Sequence, residues 1–139
     1  LFFIFHAISR SLDIAIKKRK KIIIIDGYFY KYAISEIARG APKEVVNLLI
    51  KKLPFPDLTL YLDISPEKSA LRKETFSTYE QGNAKGHNDK DRFIKFQKKL
   101  KPLWNEYEKE FAPWHRISSD LNPDLIVDFI IESAGLTLR

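Results

Sequence analysis

The 139-residue sequence contains no cysteine and no methionine. Without cysteine there are no disulfides, no thiolate metal sites and no cysteine nucleophile, and a reducing, intracellular location is permitted. Histidine is scarce: His6, His87 and His115 are scattered without ligand-like spacing, which argues against a zinc site. No apolar run approaches the roughly 18 residues that a membrane-spanning helix needs. The longest uncharged stretch, Leu1 to Ser9, is too short and lacks the basic start and small-residue cleavage site of a signal peptide. Glycine is also sparse. None of the five glycines, at 27, 40, 82, 86 and 135, is followed by Lys-Ser or Lys-Thr, so the phosphate-cradling pattern G-x-x-x-x-G-K-[ST] occurs nowhere. A translated chain normally opens on methionine, and Leu1 therefore leads to the expectation that the true start lies upstream or was trimmed.

What is present suits one α/β domain spanning residues 1–139. Hydrophobic residues make up 45% of the chain, enough for a core, and charged residues 30%, enough to solvate a surface. The net charge of +6 favours anionic partners such as phosphate esters or nucleic acid, although on charge alone a solubilising surface is the commoner reason for such a balance. The basic residues scatter over helix ends and one loop instead of forming one face, so a nucleic-acid partner is not expected.

Helical and strand patterns alternate along the chain. Phe5, Ile8, Leu12, Ala15 and Ile16 form one stripe of a helix that finishes on the basic run Lys17 to Lys21. Ile22 to Ile25 is a run of β-branched residues of the kind that fills a parallel strand buried on both faces. Pro42 to Lys52 reads as a helix with Val45, Val46, Leu49 and Ile50 inward, stopped by Pro54 and Pro56. Leu58 to Ile64 is a second strand. Ser65 is placed to cap the next helix, with Pro66 at its first position and Glu67 in its first turn. Residues 75–90 form a polar, glycine-containing loop. Phe93, Phe96, Leu100, Leu103, Tyr107 and Phe111 recur at helical spacing, with Pro102 expected to kink or break that helix. His115 to Ser118 is a short third strand, and Asn122-Pro123-Asp124 opens a last helix ending near Gly135.

Strands separated by helices imply parallel pairing with right-handed crossovers, and hence a doubly wound sheet. Ligands of such sheets sit at the carboxyl ends of the strands, which singles out Asp26, Gly27 and Tyr28, then Asp63, then Asp120. Asp26 has two readings of equal weight: a carboxylate that orients Mg²⁺-bound water or accepts a substrate hydrogen bond, or one that caps the following turn. Arg72, Lys73, Lys85, His87, Lys90 and Arg92 cluster around the polar loop. They suit a lid that closes cations over a moving phosphate, although a solvated charged loop is the commoner arrangement. Phe5 and Arg10 could stack on a base and hydrogen-bond its edge, but helical spacing alone favours Phe5 as core.

Pro56-Asp57-Leu58, Tyr61-Leu62-Asp63, Pro66-Glu67 and Arg72, in that order and spacing, resemble a run found in thymidylate kinases. Asp26-Gly27-Tyr28 is similar to that family's Asp-Arg-Tyr motif. Asp91-Arg92-Phe93 with Phe96-Gln97 is similar to the segment after its lid, and Trp114 to Ile117 with Asp120 to its last strand and adenine-side loop. The resemblance implies a P-loop kinase-type sheet with about three of its strands present and a lid over residues 75–90. It also implies transfer of the terminal phosphate of ATP to dTMP with Mg²⁺, a homodimer and a cytoplasmic setting. Carried over by position, Phe5 stacks on thymine and Arg10 contacts its edge; the spacing to Arg10 is one residue longer than usual, which leaves Phe3, Phe5 or neither as the stacking residue. Asp26 sits by the acceptor phosphate and metal, with Tyr28 beside the substrate. Arg72 and Arg92 are the lid cations, and Asp120 lies on the cofactor side. Two departures matter. Gly27 stands where the motif has arginine, which removes a charged donor to the acceptor phosphate. The P-loop segment, whose strand would lie in the middle of the sheet, is absent from the sequence. The alternatives are a catalytically dead kinase-like binding or dimerisation module and a deoxynucleoside kinase; Asp26 with Tyr28 argues against the latter.

Overall fold

The computed structural model describes residues 23–82, 89–111 and 113–135. Phe5 and Arg10, the first helix and the cations Lys85 and His87 lie outside the described residues. The described chain runs α1 (Phe29–Ala38), α2 (Lys43–Ile50), β1 (Thr59–Asp63), α3 (Pro66–Leu71), α4 (Lys90–Glu110), β2 (Trp114–Ser118) and α5 (Pro123–Ser133). It divides into two compact units. One comprises Leu1–Phe55 with Lys99–Trp104, the other Pro56–Lys98 with Asn105–Arg139.

In the first unit α1 and α2 pack on one another. Phe29, Ala33, Ile34 and Ala38 of α1 and Val46 and Ile50 of α2 are almost fully buried. Val46, Ile50 and Leu53 lie at the i, i+4, i+7 spacing of one helical face. Val45 falls off that face and is 49% exposed, contrary to its expected inward position. Phe55 meets the Phe29 ring edge-on at 5.6 Å. The isoleucine run behaves differently from expectation: residues 23–25 carry no strand, and Ile24 is 82% exposed. Apolar residues make a buried strand only where neighbouring strands satisfy the backbone, and none lies beside this run among the described residues.

The second unit holds the sheet. β1 and β2 pair in parallel, with Thr59 opposite Trp114 and Asp63 opposite Ser118. The chain is thus mixed α/β with a two-stranded parallel sheet among the described residues. The pairing continues past the strands, where the Ser119 amide donates to the Asp63 carbonyl at 3.0 Å. α3 starts as its sequence dictates: the Ser65 hydroxyl accepts the Lys68 amide at 3.2 Å, and Pro66 occupies the first turn. α5 is likewise capped by Asn122, whose side chain accepts the Asp124 amide.

α4 is one continuous 21-residue helix despite Pro102 in its interior. Proline removes one hydrogen bond, but a helix anchored on both sides of it can tolerate the loss. Phe93 and Phe96 before it and Tyr107 and Phe111 after it are all buried, on the apolar stripe read from the sequence. Phe93 also packs with Phe76 and Ala70 in a small core cluster. α5 contrasts with α4. Its sequence is rich in apolar residues, yet none is buried, and Leu125 and Val127 are 56% and 52% exposed.

Candidate functional site

Both strands of the parallel pair deliver their carboxyl ends to the same edge. There lie Asp63, the Ser118–Asp120 turn and the start of α3. The Lys68 ammonium is 2.6 Å from the Asp120 carboxylate. One helical turn later, at the end of α3, Arg72 donates from Nη2 to the Ser119 carbonyl at 3.1 Å and lies 3.6 Å from the second Asp120 oxygen. The Lys68 hydrogen bond, opposed by desolvation and reinforced by the charges of Lys68 and Arg72, holds the Asp120 carboxyl below the usual carboxylate range. The geometry therefore brings together two residues that the sequence resemblance assigned to different tasks, Arg72 to the lid and Asp120 to the cofactor side. Lys68 joins them; its i, i+4 relation to Arg72 was visible in the sequence, but its partner 52 residues away was not.

A second cluster centres on Arg116 of β2. Its guanidinium donates to Asp63 at 2.9 Å, to the Asn105 side chain at 2.8 Å and to both carboxylate oxygens of Glu108. The guanidinium also lies over the Tyr61 ring, 5.2 Å from its centroid. The Glu108 hydrogen bond, opposed by burial and reinforced by Asp63, holds Arg116 even more firmly protonated than a free arginine. Burial, aided by Asp63 and opposed by Arg116, pushes the Tyr61 phenol up to about 12. Asp63, one of the three carboxylates at strand ends, is thereby committed to an internal ion pair. Sequence reasoning missed this hub because its members come from β1, α4 and β2.

The remaining expected site residues are dispersed. Arg92 stands in the first turn of α4, where its Nε is 3.0 Å from Asp89, the residue that also caps the helix by accepting the Arg92 amide. Arg72 and Arg92 thus each have their own carboxylate. Asp26 lies in an exposed bend before α1, in the first unit. The N-cap of α1 is Tyr28, with no side-chain cap, so Asp26 does not cap that helix. Tyr28 donates its hydroxyl to the Pro54 carbonyl at 2.9 Å, tying the entry of α1 to the segment after α2. Gly27 has φ +63°. A side chain is strained in that region, so glycine at position 27 suits a backbone that disfavours any Cβ.

The polar loop is anchored over its described part. Phe76 is buried, and the Gln81 side chain donates to the Phe76 carbonyl at 2.8 Å and accepts the Asp89 amide at 3.2 Å. Lys73 pairs with Glu80, which also accepts from the Ser77 amide and hydroxyl. Burial pushes the Glu80 carboxyl up, but the hydrogen bonds from Lys73 and Ser77 and the Lys73 charge together outweigh it and move the carboxyl down.

Among the described residues no group of three or more histidines and carboxylates could hold a metal ion. Asp26 supplies a single exposed carboxylate. Mg²⁺ takes near-octahedral oxygen ligation, usually with substrate phosphates and water, so these residues do not build a resident metal centre. No described helix is long and apolar enough to cross a membrane.

No family model matches the chain. A stretch of 61 residues, 44% of this chain, is 39% identical to a protein of Staphylothermus marinus named "Probable thymidylate kinase". The stretch spans 31% of that protein's length, about a third. This local similarity supports a thymidylate kinase-like relationship only weakly.

Proposed function

We propose that this chain carries the acceptor side and lid of a thymidylate kinase-type enzyme that phosphorylates dTMP to dTDP at the expense of ATP. The observation that carries the reading is the 39% identity over 61 residues to a protein named as a probable thymidylate kinase. One feature of the chain agrees with it. The parallel β1–β2 pair leads from its carboxyl edge straight into a short helix bearing Lys68 and Arg72, and cations at such an edge suit phosphate esters.

In this proposal Phe5 stacks on the thymine ring, Arg10 reads its edge, and Tyr28 stands beside the nucleotide. Asp26 accepts a hydrogen bond near the acceptor phosphate. Arg72 and Arg92 stabilise the charge on the transferred group when residues 75–90 close as a lid, and Asp120 lies on the ATP side. Mg²⁺ arrives with the nucleotide. The complete domain is a doubly wound sheet in a cytoplasmic homodimer. The phosphate-cradling loop is not among these 139 residues, so turnover is assigned to an assembly that contains it, and acceptor binding to this chain.

Gly27 supports a second reading. Its φ of +63° and its missing side chain leave the acceptor phosphate one donor short, which suits a kinase-like binding module without turnover. Equilibrium dialysis tests the nucleotide reading that both share. The chain is expected to retain dTMP more tightly than dAMP, and to form no dTDP when ATP and Mg²⁺ are added. Equal retention of the two nucleotides would sink the thymidylate reading, and dTDP formation by the isolated chain would overturn the assignment of turnover to a further loop.

A further inference from the structure

We propose that Lys68 and Arg72 form an anion-binding subsite in which the Asp120 carboxylate is the resident occupant, holding the place of a phosphate group on a ligand. Lys68 and Arg72 are one helical turn apart and both reach the turn that leaves β2. Arg72 is steadied by the Ser119 carbonyl through Nη2, the same nitrogen that faces Asp120. Its Nε and Nη1 donors have no partner among the described residues. Two cations therefore face one carboxylate, and the cluster keeps a net positive charge.

All three side chains are 50–56% exposed. Ion pairs in such water-accessible positions are weak and exchangeable. A phosphate dianion brings more charge than one carboxylate, and its oxygens match the guanidinium fork that Asp120 leaves partly unused. The location at the carboxyl edge of two parallel strands is where ligands of α/β sheets bind. Asp120 adjoins the anchoring Ser119 in sequence, so only its side chain needs to rotate to vacate the cations. It then acts as an internal competitor that sets a threshold for anion binding.

The subsite stands apart from any choice of nucleotide, and its test uses none. Inorganic phosphate is titrated into the ¹⁵N-labelled chain at low salt, with chloride at equal ionic strength as the control. The Arg72 Nε–H and the Ser119 and Asp120 amides are followed. Phosphate is expected to shift these signals selectively. Asp120→Asn and Asp120→Ser remove the competitor and are expected to bind phosphate about fivefold more tightly at low salt, the scale of one unit charge at contact distance in water. Lys68→Gln and Arg72→Gln weaken binding by a similar factor, with unchanged spectra elsewhere showing that the fold is kept. Unaltered or weaker binding in both Asp120 variants overturns the proposal, as do shifts spread over the basic surface. A chain that passes this test and fails to prefer dTMP keeps the subsite and loses the thymidylate reading.

Discussion

Replacing Arg116 with methionine tests how the second unit is held together. Methionine keeps the length of the stem and its packing beside Tyr61 but deletes every polar contact of the guanidinium. Arg116 is about a third exposed at its side chain, Asp63 21% and Glu108 27%, so each ion pair is screened and contributes about 0.5–1 kcal/mol. The Asn105 hydrogen bond adds about 1 kcal/mol and the cation–π contact about 0.5 kcal/mol. One side chain makes all of these contacts, so they do not simply add, and a loss of about 2 kcal/mol is expected. The deletion also leaves Asp63 and Glu108 without the cation that both face. Urea unfolding followed by tryptophan fluorescence reads the loss, since Trp114 lies in β2 itself. Raising the salt concentration should shrink the difference, because screening already weakens these pairs in the native protein. A double-mutant cycle with Glu108→Gln should return a coupling of about 1 kcal/mol. An Arg116→Met chain within about 0.5 kcal/mol of the original, the range of ordinary surface substitutions, would refute the view that this cluster clamps α4 to the sheet.

Two further perturbations address the segment between α3 and α4. Gly82 has φ +78°, and an added Cβ would lie 2.8 Å from the Phe96 ring; Gly82→Ala should therefore cost about 2 kcal/mol in urea unfolding, and a neutral or stabilising result would show that this turn is not held as described. The Glu80 carboxyl is moved down in the folded chain, so its contribution is present above the unfolded carboxylate range near about pH 4.3 and is lost as pH falls through the folded value. Glu80→Gln should thus destabilise at pH 7, by less than about 1 kcal/mol for a pair about a third exposed, and have little effect near pH 3; an equal effect at both would place the contribution elsewhere.

Much of the local structure was legible without coordinates because it rests on short-range rules. Ser65 and Asn122 cap helices where a small polar residue precedes proline, and the Phe93–Phe111 stripe is buried because helical spacing puts those residues on one face. The carboxyl edge of the strands could likewise be located from the alternation of strands and helices. The isoleucine run was misjudged by the same local reasoning, and Pro102, expected to kink or break its helix, does not break it. A proline is tolerated when packing on both sides of it holds the helix, and β-branched residues become a strand only when other strands take up their hydrogen bonds.

The partners of Lys68, Arg72 and Asp63 were decided by tertiary structure alone. The alternation of strands and helices marked Asp63 and Asp120 as strand-end carboxylates, and Lys68 and Arg72 stand four residues apart. It could not say that Asp120 would lie against both cations, or that Asp63 would be taken by Arg116 from the neighbouring strand. Those pairings span 48 to 53 residues and follow from the parallel register of β1 on β2, which sets Asp63 opposite Ser118 and brings the next turn over α3. Charge and helix periodicity are properties of a segment, whereas register belongs to two strands at once, and through it the fold chose which carboxylate meets which cation.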